Sequence, residues 1–236
     1  MRLDRYLSAQ GCGSRSEVRA RIRAGEVLLD GESCRDPAAD MTGHTVTLRG
    51  QEVKDRGVFC LMMNKPDGVL TAARDERCPT VMDLLPEKLR RMKCMPVGRL
   101  DKDTTGLLLF TNDGQLAHRL IAPKRHVEKV YLARTGHTPT ADEIAAFSSG
   151  VGLGDFVALP ARLSAAGECA ARIAVCEGKF HQVKRMMAAV GNEVIELKRI
   201  AFGPIALDES LAPGAFRFLD DGELAALREA AGRSEE

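Results

Sequence analysis

Residues 98–109 read Gly98-Arg99-Leu100-Asp101-Lys102-Asp103-Thr104-Thr105-Gly106-Leu107-Leu108-Leu109, a polar, glycine-bounded loop between two apolar runs. The second run, continuing to Thr111, is apolar without alternation, which is the pattern of a buried strand. A loop in that setting displays its side chains at a strand edge. Here it displays two carboxylates, two cations and two hydroxyls within seven residues. The same set could serve a plain turn, with Asp103 or the threonines bonding local backbone.

Strands and helices alternate around this loop. Residues 59–63 and 95–100 read as strands before it, with a helix starting over 80–85. After it come a helix over 115–121, strands over 129–134 and 172–176, a helix over 181–190 and a strand over 193–200. The helix over 181–190 is the most clearly marked. Val183, Met186, Met187 and Val190 fall at i, i+3, i+4 and i+7, Gly191 supplies the stop, and the methionines belong to the core. A short helix over 223–231 follows the Asp221-Gly222 turn. The pattern predicts an α+β fold with a mixed or antiparallel sheet over 58–236.

At 236 residues the chain has room for a second, smaller domain. Residues 1–50 read as a helix-helix-strand unit, and the polar segment 51–57 reads as a linker. Leu3 and Leu7 lie one turn apart. Gly11-Cys12-Gly13 then breaks the chain before Ser14-Arg15-Ser16-Glu17, which has the form of a capping box. Val18 and Ile22 make the apolar seam of the second helix, while Arg15, Arg19 and Arg23 form a separate basic stripe. Tyr6 reads as packing. Val27-Leu28-Leu29 enters a tight turn at Asp30-Gly31, and 45–48 is a later short strand.

Net charge is only +1, from 34 Lys and Arg against 33 Asp and Glu, so a nucleic-acid contact must come from local clustering. Seven scattered cysteines and five dispersed histidines show no ligand spacing, which predicts reduced thiols and no metal. Neither a signal peptide nor a run of about 18 apolar residues is visible. A cytoplasmic protein without membrane contact is expected. Gly150-x-Gly152-x-Gly154 lacks the following helix and the full spacing of a dinucleotide loop.

The loop around Asp101 resembles the signature of pseudouridine synthases, G-R-L-D-x-x-[TS]-x-G-L-[LM]. Lys129-Val130-Tyr131 resembles the K-x-Y strand of that family, and Glu177 to Met186 (EGKFHQVKRM) resembles its E-G-[KR]-x-[HR]-Q-[VI]-[KR]-R-[ML] motif. Asn64-Lys65-Pro66-x-Gly68 is typical of the ribosomal branch. Arg2 to Leu7, Ser14 to Val18 and Gly25 to Gly31 resemble, in order, the small RNA-binding domain named after ribosomal protein S-four. Together the matches span nearly the whole chain, and the H-Q-V-K-R-M form is similar to enzymes acting on small-subunit (16S) ribosomal RNA.

The resemblance implies a cofactor-free isomerase. Uridine must leave its ribose at nitrogen, turn over and rejoin through carbon five, with no net oxidation and no group added. Asp101 matches the catalytic carboxylate, which attacks the anomeric carbon or removes a neighbouring ribose proton. Tyr131 matches the tyrosine that stacks on the flipped base and assists proton removal from carbon five. Lys184 matches the cation that keeps the aspartate charged. Arg99 and Arg185, with Arg15, Arg19 and Arg23, are the expected RNA contacts. The implied partner is 16S rRNA or a small-subunit assembly intermediate, bound by a monomer. A large-subunit uridine, or a noncatalytic ribosome-assembly role, remains as an alternative reading.

Overall fold

A computed structural model of the chain describes residues 1–232. Two compact units are present: Met1–Phe59 with Leu85–Met95, and Cys60–Leu84 with Pro96 onwards.

In the first unit, α1 (Leu3–Ala9) and α2 (Arg15–Arg23) pack on a four-stranded sheet of β1 (Val27–Leu29), β2 (Glu32–Ser33), β3 (Val46–Leu48) and β4 (Gln51–Glu52), in the order β2-β1-β3-β4. The expected capping box is present: Ser14 Oγ accepts from Glu17 N, and Glu17 Oε2 accepts from Ser14 N. Asp30 and Gly31 both take positive φ (50° and 88°), as a two-residue hairpin requires. Leu3, Tyr6, Leu7, Val18 and Ile22 are buried, and the Tyr6 hydroxyl donates to Val53 O.

The expected contiguous division at residue 58 differs from the compact units, because 85–95 returns to the first. A short helix there, α3 (Glu87–Arg91), buries Leu89, and Arg91 bonds Glu17 at 2.8 Å. The helix expected from residue 80 is also corrected. Thr80 N and Oγ1 both donate to Asp83 Oδ2, a side-chain turn that competes with helix, and Pro86 disfavours helical backbone at Leu85.

The second unit is built on one mixed sheet. Its strands are β5 (Cys60–Lys65), β6 (Met95–Pro96), β7 (Thr104–Thr111), β8 (Lys129–Thr135), β9 (Arg162–Ala165), β10 (Ala170–Val175), β11 (Val194–Phe202), β12 (Ile205–Ala206) and β13 (Phe216–Phe218). The order is β13-β5-β7-β11-β8-β10-β9, with β6 on β7 and β12 on β11; only β7 and β11 pair in parallel along that path. Every residue of β5 is buried, and β7 is buried from Gly106 onwards, as its unbroken apolar pattern demands. Helices α4 (Gly114–Ile121) and α7 (Asp221–Gly232) cover one sheet face through Leu116, Leu120, Leu227 and Ala231. α5 (Ala141–Ser149) packs beside β9, and α6 (Gln182–Ala189) beside β11. The strand expected over 95–100 is limited to Met95–Pro96, because the chain from Leu100 onwards is tied elsewhere.

The parallel β7–β11 contact explains one motif glycine. Gly106 sits opposite Arg199 with φ +93°, and a Cβ there would lie 2.3 Å from Arg199 O. Neither the backbone angle nor the gap admits a side chain. Gly106→Ala is expected to cost about 3 kcal/mol or more of unfolding free energy, or to abolish the soluble fold, whereas Gly31→Ala, with open space around it, costs about 1 kcal/mol. Urea denaturation of both variants measures the difference.

Candidate active site

A cleft lies wholly within the second unit, at the start of β7 and the start of α6. Arg99, Asp101, Thr104, Tyr131, His181 and Lys184 are among its lining residues. The motifs read from three separate stretches of sequence therefore meet in one place, because β7, β11 and β8 are neighbours in the sheet and α6 precedes β11.

The loop carrying Asp101 is fixed from behind. Lys65, at the end of the buried strand β5, has no exposed surface, and its Nζ donates to Pro66 O (3.1 Å), Lys102 O (3.0 Å) and Thr104 O (2.9 Å). Thr71 Oγ1 donates to Leu100 O at 2.9 Å, and Gly68 N to Lys102 O at 3.1 Å. Thr104 N closes the turn onto Asp101 O at 3.1 Å. Burial lowers the Lys65 pKa to about 8, against the attraction of Asp67, Asp103 and Asp101. The Thr104 hydroxyl itself is buried without a partner among the described residues.

With its backbone held, the Asp101 carboxylate faces His181, whose Nε2 lies 3.5 Å away. Lys184 does not pair with Asp101, as the sequence suggested, but reaches Asp103 Oδ1 at 2.6 Å and holds that carboxyl below the usual range. Asp103 is the more exposed of the two acids, at 68% against 30%, so the pair forms at the rim with little loss of hydration. Arg99 is exposed and has no ion-pair partner among the described residues. Arg185 is committed to structure: it pairs with Asp155 and donates to Leu153 O at 2.8 Å, bracing the turn that contains Gly152 and Gly154. On α2 the basic stripe is likewise divided. Arg19 pairs with the buried Asp4 at 2.8 Å, whereas Arg15 and Arg23 are exposed without an ion-pair partner among the described residues.

Tyr131 on β8 stands opposite Arg199 on β11, only 9% exposed, with its hydroxyl unpartnered among the described residues. Arg199 is itself buried and donates to Leu107 O at 2.7 Å. Lys129, two residues before Tyr131, is also buried, 5.3 Å from the centre of the Phe202 ring and 3.5 Å from Cys176 O. Burial, and then repulsion from Arg199, lowers its pKa to about 8. The sheet beneath the cleft thus contains Lys65, Lys129 and Arg199, three buried cations. Of these Lys65 and Lys129 each stood in a family motif, but neither motif announced that the lysine is buried. Lys129 and Arg199 sit in alternating strands where cations ordinarily face water.

The EGKFHQ stretch closes on itself before α6. Glu177 Oε2 accepts from Leu159 N (2.9 Å) and from Gln182 Nε2 (3.0 Å), and Gln182 Oε1 accepts from Lys179 N (3.0 Å). No group of three His, Cys, Asp or Glu residues poised to hold a metal occurs among the described residues, and none of the seven cysteines is in a disulfide. No described helix is long and apolar enough to cross a membrane.

Residues 60–152 match the family model for RNA pseudouridylate synthase, and residues 1–40 match the S4 domain. The chain is 45% identical to an uncharacterized RNA pseudouridine synthase of Bacillus subtilis, covering 97% of this chain and 99% of the relative. It is 41% identical to ribosomal small subunit pseudouridine synthase A of Escherichia coli, covering 96% and 100%. A crystal structure of a pseudouridylate synthase superposes with a TM-score of 0.68 at 32% identity, covering 96% of this chain and 99% of that one.

Because Lys129 has only one weak acceptor for a buried charge, Lys129→Met is expected to raise stability at neutral pH. The folded protein binds its proton less readily than the unfolded chain, so the charged lysine is a burden below about pH 8 that fades as pH rises towards 10.5. The advantage of the variant in urea unfolding is expected to shrink over that window. An advantage independent of pH contradicts this assignment.

Proposed function

The chain belongs to the RNA pseudouridine synthases, and from that premise we propose that it isomerises one uridine of small-subunit (16S) ribosomal RNA with Asp101 as the catalytic carboxylate. The observation that carries this reading is the Asp101 loop, held by the buried Lys65 and Thr71 so that its carboxylate faces a cleft shared with Tyr131 and Arg99. A uridine in a folded RNA reaches such a cleft by leaving its stack.

In the proposed reaction the bond from C1′ to N1 breaks, the freed uracil turns over, and C1′ bonds to C5. The proton on C5 departs and N1 gains one, so nothing is oxidised and no atom is added. Asp101 serves by attack on C1′ or by removal of a neighbouring ribose proton. Tyr131 stacks on the base, and its hydroxyl assists removal of the C5 proton. Arg99, unpaired at the cleft, holds the base or its phosphate. Lys184 acts at one remove, by fixing Asp103 in the same turn. Arg15 and Arg23 extend the RNA contact on α2, while Arg19 and Arg185 are already committed to Asp4 and Asp155.

The small-subunit target is supported by near-full-length similarity to relatives bearing that name. The cleft is built from one unit of one chain, which suits a monomer acting on 16S rRNA or a small-subunit assembly intermediate in the cytoplasm.

Tritium release from uridine labelled at carbon five tests the reading. Wild type is expected to release tritium from unmodified small-subunit rRNA carrying early ribosomal proteins. Asp101→Asn is expected to fold and bind that RNA with activity reduced by at least about 10⁴-fold. Activity in Asp101→Asn removes the catalytic assignment, and release only from large-subunit rRNA removes the target. Tyr131→Phe is expected to retain RNA binding and lose about 10²-fold or more in turnover.

A further inference from the structure

Phe180 is the described large hydrophobic side chain with the greatest exposure, at 71%, marginally above Val157, and it stands beside the cleft. A single exposed phenyl ring is ordinary at a protein surface, so what matters is whether its surroundings hold it in one place. Its surroundings show that the position is held in place. Glu177 and Gln182 close the loop on either side of it by hydrogen bonds, and both are buried, at 8% and 4% exposure. His181 takes a left-handed backbone conformation (φ 49°), which is uncommon for a side-chain-bearing residue. The Phe180 and His181 rings stack with centroids 3.8 Å apart and planes within 17°. One side of the phenyl ring is thereby backed, and the other is left to solvent.

The stack points at the chemistry. His181 lines the cleft and contacts Asp101 at 3.5 Å, so the sequence of groups runs from Phe180 through His181 to the carboxylate. The covering partner must present a flat face and tolerate positive charge nearby, since the exposed Arg99 lines the cleft without an ion-pair partner among the described residues. A nucleobase on a phosphate backbone meets both conditions, and base stacking on an aromatic ring needs no particular base identity. When a uridine flips out, its neighbour loses a stacking partner, and a held phenyl ring at the cleft edge can replace it.

We propose that Phe180 is a stacking platform for the nucleobase adjacent to the flipped uridine, with His181 as the second layer of the platform. The proposal rests on the isomerase reading for the identity of the RNA. Phe180 is a positioning residue in this account, and its role is to hold the strand so that the uridine stays at Asp101.

The chain contains no tryptophan, so Phe180→Trp places a single reporter at the platform. Added unmodified small-subunit rRNA is expected to quench its emission. Phe180→Leu and Phe180→Ala are expected to melt at the wild-type temperature, because the side chain is exposed. Both are expected to raise KM by about 10- to 100-fold with kcat little changed, leucine faring no better than alanine because stacking needs a ring. Three results overturn the proposal: no quenching by RNA, wild-type KM in the leucine and alanine variants, or full rescue by leucine. Emission that responds only to ribosomal proteins also overturns it, in favour of a protein contact. If wild type proves inert on both rRNAs, the isomerase reading fails separately, and RNA quenching of Phe180→Trp still decides whether the platform exists.

Discussion

Lys65 ends a strand in which every residue is buried, and its ammonium gathers three backbone carbonyls, two of them from the loop that carries Asp101. A cation with no access to water is tolerable only if each of its protons finds an acceptor, and here the acceptors are the loop itself. The arrangement binds in both directions. The loop keeps its shape because it solvates Lys65, and Lys65 keeps its charge because the loop is there, with Asp101 and Asp103 adding attraction. Thr71 and Gly68 complete the hold at Leu100 and Lys102. The Asp101 carboxylate is thus mounted on backbone tied by hydrogen bonds on both sides of it.

The sheet supplies the second constraint. Parallel pairing of β7 with β11 brings Gly106 against Arg199, and antiparallel pairing of β11 with β8 brings Arg199 against Tyr131. The carboxylate loop and the tyrosine, about thirty residues apart in sequence, come to one cleft because β11 lies between their strands. Removing the side chain at Gly106 is what allows that neighbour to approach.

Much of this was legible in the sequence where one residue pattern has one physical meaning. Ser14 and Glu17 announced the start of α2, Asp30-Gly31 announced a hairpin, and the unbroken apolar run after Gly106 announced a doubly covered strand. The site motifs were legible by resemblance, including Asp101 and Tyr131, which share the cleft. What failed depended on one local side-chain bond and on contacts far along the chain. The turn at Thr80 belongs to a bond with Asp83 that competes with helix, and α3 belongs to the unit that its sequence position had left behind. The ion pair of Lys184 depended on which of two nearby carboxylates lay at the rim, which spacing does not encode. The burial of Arg199 and Lys129 gave no warning, because burial of a cation in an alternating strand is decided by the layers packed on it.

The account turns on one uridine becoming pseudouridine at the hands of one carboxylate. Mapping pseudouridines across the ribosomal RNAs of a strain lacking this gene, complemented with either wild type or Asp101→Asn, measures that in the cell. The account requires that a single small-subunit position is unmodified in the deletion strain, is restored by wild type, and stays unmodified with Asp101→Asn. A modification pattern unchanged by the deletion, or restored equally by Asp101→Asn, contradicts it.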